Sequence, residues 1–500
     1  MRSRRRLDME TSSAFLFFTF TVMLCLALPS SAADGSGYSN GASDEAPMEK
    51  AEKEALYSAI RGFVGDWWNG SDLYPDPCGW TAIQGVSCDL FNGQWYVTSL
   101  NIGPVHDNSL DCAAKPLFTS HLFDLRHLKS LSFYNCFVSP DQTLPSDTYW
   151  DALSGSLESI EFRSNPGLVG GIPSSFGSLL NLRSLVILEN GLKGTLPENL
   201  GNIPGLQRLV LAGNRFTGPI PSTFGRLSEL LILDMSRNYL AGQLPASIGD
   251  LASLLKLDLS NNLLQGKLPS ELGKLRNLTL MDLRNNNFSG GLTQSLQEME
   301  SLEELALSGN PVNGELNILE WQNLKSLAVL DLSRMGLRGE IPETFPQLKK
   351  IRYLGLSNNS LSGVLPPDLE TLPNLSALYV NGNNLTGEMK FSAGFYSRMG
   401  RRLGAWDNPS LCYNADELGP TGNFPCRVRP CGDEKLEEEE KEMTVGHISR
   451  GKRLGGDGDV GGNSYLLPPL GFPSNGVSGF QCCNFCVDVL LLAIVLNYFL

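Results

Sequence analysis

The chain has 500 residues, 42% of them apolar and 18% charged, which is ample for a large folded body. Its formal charge of −14, with no basic clusters, argues against nucleic-acid binding. Only four histidines occur (His106, His121, His127 and His447), none in a metal-ligand spacing, and no cysteine sits beside a base. With no G-x-G-x-x-G and no kinase catalytic-loop signature, the chain is read as non-catalytic, with no cofactor.

Residues 1–33 read as a secretory signal. Arg2, Arg4, Arg5 and Arg6 form a positive start, Ala14 to Leu28 an apolar core, and Ser31-Ala32-Ala33 a small-residue cleavage site. The apolar run is shorter than the ~20 residues needed to span a bilayer. Residues 34–47 are Gly/Ser/Asp-rich and expected to be disordered. Residues 48–102 are expected to form an N-terminal cap. It opens on an amphipathic helix over 48–70, with Leu56, Ile60, Phe63 and Val64 on one face, and ends on a first strand from Val97 to Ile102. An irregular lead-in segment, 103–156, contains a divergent first repeat from Leu128. Cys112 and Cys136 flank its irregular part. A bridge between them would staple the insertion Phe137 to Gly155, and two buried thiols are the alternative.

Ten repeats then fill 157–390. The 24 residues from Leu206 to Glu229, LQRLVLAGNRFTGPIPSTFGRLSE, share a frame with the next 24, and a fixed period with an apolar frame marks a solenoid. Leu209 and Leu211 alternate with exposed positions, as a short strand requires. They point inward, leaving Val210 and Ala212 on the open face. Asn214 follows the strand and can bond the turning backbone. Stacking aligns Asn190, Asn214, Asn238, Asn262, Asn286, Asn310, Asn359 and Asn383 into a ladder. Gly218 suits a turn, and Pro221 sets φ as the chain returns along the far side. The regularity breaks between Leu278 and Met335: Thr293 and Asn317 replace Pro, Met335 replaces the ladder Asn, and one residue is inserted. Drift and a local change of curvature beside a ligand site both account for this.

Residues 391–432 read as a C-terminal cap, in which Cys412, Cys426 and Cys431 leave one cysteine over. Residues 433–476 form an acidic, Gly-rich stalk. The apolar tail within 477–500 follows small residues at Ser474, Asn475 and Gly476, which fits a glycosylphosphatidylinositol signal. A short tail-type membrane helix and no anchor are the alternatives, since Asp488 and Cys482, Cys483 and Cys486 make the signal imperfect.

The sheet face is where a solenoid binds. Asp234, Asp258 and Asp282 hold one position in three consecutive repeats, and Asp331 repeats it two units later. Arg237, Arg284 and Arg334 flank the strands and can hold a carboxylate bidentately. Tyr353 and Tyr379 are expected to add aromatic surface. A peptide-binding stripe is one reading of these residues; common filler of the repeat, with Asp and Arg neutralising each other, is the other. On the first reading, charge reversal at Asp258 and Asp282 alters partner capture without unfolding. The small Ala212 and Gly213 place the expected site C-terminal to the Leu206–Glu229 unit. Six sequons stand at Asn69, Asn277, Asn287, Asn358, Asn374 and Asn384.

The frame L-x-x-L-x-L-x-x-N-x-L-x-G-x-(I/L)-P resembles the plant extracellular subtype of the leucine-rich repeat. Cys78-Gly-Trp with Gly-Val-Ser-Cys88 resembles the N-terminal cap of that class, which implies a Cys78–Cys88 disulfide in an oxidising compartment. Asn408-Pro-Ser-Leu411-Cys412 resembles its C-terminal ending. Together these features resemble plant leucine-rich-repeat receptor-like proteins. The segment from Cys112 to Leu157 is similar to a group related to the stomatal-patterning members. The resemblance implies an α/β solenoid: a leucine-rich-repeat right-handed superhelix of plant extracellular type, with disulfide-bonded N- and C-terminal caps. It further implies a cell-surface protein that binds a peptide or protein ligand and signals through a membrane-bound receptor kinase. It transfers no ligand residue. A secreted cell-wall inhibitor of microbial hydrolases is the rival reading.

Overall fold

The computed structural model of the protein describes residues 47–104, 109–139, 142–145, 147–415 and 427–432. The signal segment, the stalk, the small residues Ser474, Asn475 and Gly476, the apolar tail, and Cys426 lie outside them. Among the described residues no helix is long and apolar enough to cross a membrane.

Among the described residues, fourteen strands form one sheet, and their order across the sheet follows their order along the chain. All pairs are parallel except the first, Val86–Phe91 against Gln94–Ile102, which is antiparallel. The constant period sets the register. Leu233 lies opposite Leu209 and Leu257, and Asp234 opposite Val210 and Asp258. A one-residue slip would turn every leucine to the other face, so the hydrophobic pattern holds the register. Behind the sheet, most repeats carry a 3-10 turn such as Ser222–Arg226 or Ala246–Asp250. Each of these starts after a proline with φ near the ring's fixed value, −61° at Pro221 and −67° at Pro245. Gly249 lets successive turns touch, because a Cβ there would collide with the backbone oxygen of Glu271. Leu209, Leu211, Phe216, Phe224 and Leu227 are fully buried, and their equivalents merge into one core from Ala55 to Tyr413. No single repeat could bury this surface, so stacking supplies the core.

The asparagine ladder works by a fixed exchange. Asn238 donates Nδ2–H to the carbonyls of Leu211, Met235 and Ser236, and its Oδ1 accepts the Phe216 N–H at 3.1 Å. Asn262 repeats the pattern, its Oδ1 taking the Leu240 N–H at 3.0 Å. The ladder is longer at both ends than the sequence pattern indicates. Asn165 is fully buried and accepts from the Cys136 and Phe137 N–H groups, and Asn408 accepts from the Leu385 N–H.

Met335 is the ladder's gap, and it explains the irregular repeats. With no amide at 335, the Val312 N–H turns back to Asn310 O at 2.8 Å, Pro311 has no N–H to satisfy, and Asn313 takes φ +61°. A second, small sheet of five strands from Lys193–Thr195 to Asn287–Phe288 stops there, and a separate pair, Arg338–Glu340 with Ser360–Ser362, resumes beyond. The intervening repeat carries two short 3-10 turns, Leu316–Ile318 and Trp321–Asn323, with Trp321 buried and its Nε1–H donated to Leu316 O.

The N-terminal helix runs over Lys50–Val64 and stops at Gly65, φ +108°, earlier than the expected end at residue 70. Its buried Phe63 packs on Phe133 of the first repeat strand with ring centroids 4.7 Å apart. The hairpin before the repeats turns at Asn92-Gly93, both with positive φ. Disulfides join Cys78 to Cys88, Cys112 to Cys136 and Cys412 to Cys431. At the other end the sheet runs on past residue 390, into Leu403–Gly404, after the helix Ala393–Met399.

Candidate ligand-binding face

The parallel register lays the sheet-face strand positions out as columns. One column reads Arg208, Ile232, Lys256, Leu280, Glu304, Val329 and Tyr353. The next, two residues on, reads Val210, Asp234, Asp258, Asp282, Ala306, Asp331 and Gly355. A depression of about 750 Å³ on this face extends from Arg163 to Glu304. Its floor at the N-terminal end is apolar, where Val186, Val210 and Ala212 pack with Leu188 and Ile232. The depression therefore includes the Leu206–Glu229 unit and reaches N-terminal to it, whereas the sequence places the expected site C-terminal to that unit; Val210 and Ala212 belong to an apolar floor that only stacking assembles.

The Asp column has a local structural task. Asp234 Oδ1 accepts the Ser236 N–H at 3.1 Å and its hydroxyl at 2.7 Å. Asp258 does the same for Ser260, Asp282 Oδ1 accepts the Arg284 N–H at 3.0 Å, and Asp331 Oδ1 the Ser333 N–H at 3.2 Å. These bonds hold the chain where it leaves the strand. Reversing charge at Asp258 or Asp282 would remove an acceptor from part-buried N–H groups, so the structure argues against a reversal that leaves stability untouched. Ala306 also separates Asp282 from Asp331, so the carboxylates form a block of three and a single outlier.

The cations differ from one another. Arg284 lies on the sheet face and clamps Asp282, its Nε 3.0 Å from both carboxylate oxygens. Arg237 and Arg334 instead occupy the left-handed position before the ladder, at φ +54° and +57°, which puts them on the sheet's edge rather than its face. Arg237 reaches back 3.3 Å to Glu189, and the Arg334 side chain has no hydrogen-bond or ion-pair partner among the described residues. Tyr353 and Tyr379 are 5% and 7% exposed, with ring centroids 5.8 Å apart, and they pack with Val329 and Ala377. They offer little aromatic surface, which corrects the expectation. Burial and the nearby Asp331 push the Tyr353 hydroxyl well above the usual range.

The sequence reading missed the other column. Lys256 Nζ stands 3.3 Å from Asp234 and 3.9 Å from Asp258. Burial, then the Asp234 and Asp282 charges, push the Asp258 carboxyl up to about 7, against the opposing pull of Lys256. Burial and Asp282 also raise Glu304. At the other end Arg163 pairs with Glu161, while burial and the Arg208 guanidinium pull Arg163 below its usual range. The signal that would have found Arg208, Lys256 and Glu304 is variation at a fixed 24-residue step, whereas recurrence of one residue type points to the frame. His121 forms a surface pair with Asp124 at 3.3 Å, and His127 stacks between Phe91 and Tyr96. All six sequon asparagines are exposed.

The family described as "Leucine-rich repeat region" matches residues 172–327, and "Leucine rich repeat" matches 325–385. Among solved structures, the Arabidopsis receptor kinase HAESA with the peptide hormone IDA and co-receptor SERK1 is 28% identical with a TM-score of 0.54, over 73% of this chain and 62% of that one. PEPR1–AtPEP1 is 26% identical with a TM-score of 0.56, over 73% of this chain and 52% of that one. The chain thus spans under two thirds of either ectodomain. Piriformospora indica-insensitive protein 2 of Arabidopsis thaliana is 64% identical over 394 residues, covering 77% of this chain and 93% of that protein. With that identity over nearly the whole relative, and with capped repeats carrying an Asn ladder, the chain belongs to the plant leucine-rich-repeat receptor-like family of Piriformospora indica-insensitive protein 2.

Proposed function

We propose that the protein is a non-catalytic cell-surface receptor-like protein. It captures an extended peptide or protein segment on its sheet face and signals through a partner receptor kinase. The observation that carries this reading is the depression itself: it gathers charged groups, among them Arg208 and Glu304, that have no hydrogen-bond or ion-pair partner among the described residues. A solenoid core needs no such groups, so a ligand is the economical reason for them. HAESA and PEPR1, which share the fold, are solved with peptides bound, and the first also with a co-receptor. The exposed asparagines at Asn69, Asn277, Asn287, Asn358, Asn374 and Asn384 are proposed glycan sites. The small residues at Ser474–Gly476 are the proposed site of a lipid anchor, in plant-microbe signalling or development.

Two measurements test this. Full-length protein in plant protoplasts should be released by phosphatidylinositol-specific phospholipase, and free apoplastic protein without treatment would instead favour the secreted hydrolase-inhibitor reading. Affinity capture from plant membranes should recover a receptor kinase, with recovery reduced by Arg208→Glu. Recovery that ignores every substitution in the depression would remove the sheet face from the reading.

A further inference from the structure

The depression is electrically polarised along the solenoid axis. At its N-terminal end guanidiniums outnumber carboxylates: Arg163 and Arg237 are matched by Glu161 and Glu189, which leaves Arg208 unpaired. At its C-terminal end the imbalance reverses, because Lys256 and Arg284 face four carboxylates, and Glu304 makes no ion pair or hydrogen bond among the described residues. Between the two ends, the half-buried Ile232 and Leu280 offer apolar surface. Arg208 and Glu304 share one column, four strands apart, through Ile232, Lys256 and Leu280. At ~4.8 Å per strand that is roughly 19 Å, which an extended chain covers in about six residues at ~3.3 Å each.

Building on the peptide-receptor reading, we infer that the ligand is an extended segment of about six residues with opposite charges at its ends. A carboxylate meets Arg208, an apolar side chain lies over Ile232 and Leu280, and a cation meets Glu304. Arg208 can grip a carboxylate with two parallel N–H groups. Glu304 is half-buried within reach of the Asp282 charge, where a cation lowers the repulsion between the carboxylates. Among the exposed sequons, none lies between Asn69 and Asn277, so the Arg208 end is open to an incoming chain. Polarity of this kind selects partners by penalising like charge at either end.

The test uses the full chain from a eukaryotic secretory host and four fluorescent seven-residue peptides with the same apolar centre. Their ends are acid and base, two acids, two bases, or neutral, and each is made with free and with amidated C-termini to separate a side-chain carboxylate from a terminal one. The acid–base peptide should bind at least about tenfold tighter than the others. Arg208→Glu should transfer the preference to the two-base peptide, and Glu304→Lys to the two-acid peptide, with both variants melting as wild type. Equal affinity for all four, or a preference that neither variant moves, overturns the charge assignment. A random seven-residue library separates the two levels. Binders that compete on the sheet face without a charge pattern leave the receptor reading intact and remove this inference, whereas no binder at all removes both.

Discussion

Asn238→Ala should cost the protein about 3 kcal/mol, and the structure shows why. The residue is 6% exposed. Its Nδ2 serves the carbonyls of Leu211, Met235 and Ser236 at 2.9, 3.2 and 3.1 Å, and its Oδ1 takes the Phe216 N–H at 3.1 Å. An amide has only two hydrogens, so at most two of the three carbonyls are fully bonded. Alanine therefore strands one buried N–H and up to two carbonyls. At ~1–3 kcal/mol per stranded group, reduced where neighbours relax, the sum is about 3 kcal/mol. Asn238→Leu is the control, because it restores volume without hydrogen bonds. Equilibrium urea unfolding of the full chain should show comparable losses for both variants, and hydrogen exchange should accelerate first at the Phe216 amide. A loss below ~1 kcal/mol for Ala, or recovery of stability in Leu, would refute the hydrogen-bond account and leave packing as the ladder's role.

Other consequences are open to measurement. The Asp258 carboxyl titrates at about 7 in the fold against an ordinary 3.8, so the unfolded chain ionises first and this group's contribution to stability falls as pH rises from about 4 to about 7. Asp258→Asn keeps the Oδ1 acceptor for Ser260 and should gain on wild type progressively across that window. A denaturation midpoint difference that is flat in pH would contradict the assignment. Asp282→Lys removes the acceptor of the Arg284 N–H and the Arg284 clamp, and should destabilise by ~2–4 kcal/mol in urea, while the exposed Arg208→Glu should change stability by under ~0.5 kcal/mol. Equal effects of these two would dissolve the distinction between frame and reading positions. Replacing Cys112 and Cys136 by Ser opens a loop with a sequence separation of 24 residues and should cost ~3 kcal/mol, read as a lower melting temperature; an unchanged melt would show that aromatic packing of Phe63, Phe118, Phe133 and Phe137 holds the segment unaided.

Much of the fold was legible because its physics is periodic. Leucines every 24 residues fix strand faces, and the Asn after each strand fixes the turn. Legibility failed where a residue's task depends on its neighbours in space. Asn165 is followed by Pro166-Gly167, one residue more than the frame allows before the next leucine, and its ladder role shows in its bonds to the Cys136 and Phe137 amides of the preceding segment. Arg237 and Arg284 look alike in the sequence, yet a one-residue difference in phase places the first at a left-handed edge position and the second on the face. The Asn92-Gly93 dipeptide is itself a hairpin signal, and it starts the strand at Gln94 rather than Val97.

The Asp column shows how frame and function share one residue type. Oδ1 of Asp234 and of Asp258 is committed to the backbone and hydroxyl two residues ahead, whereas Oδ2 of each faces Lys256, from the neighbouring strand for Asp234 and from the same strand for Asp258. Recurrence of Asp therefore reports the first oxygen, which every strand exit of this form needs, and says nothing of a ligand. What makes the block electrostatically unusual is the adjacent column, where Lys256, with Arg284 clamped on Asp282, is set against Asp234, Asp258, Asp282 and Glu304, and Arg208 stands unpaired two strands away. A carboxylate raised to about 7 beside a lysine is a sign of crowding that the repeat frame does not require, because Ala306 fills the same register position next to Asp282 and the ladder continues through Asn310. The positions free to change are thus the ones that carry selectivity. They surround the very unit whose regular leucines make the solenoid recognisable.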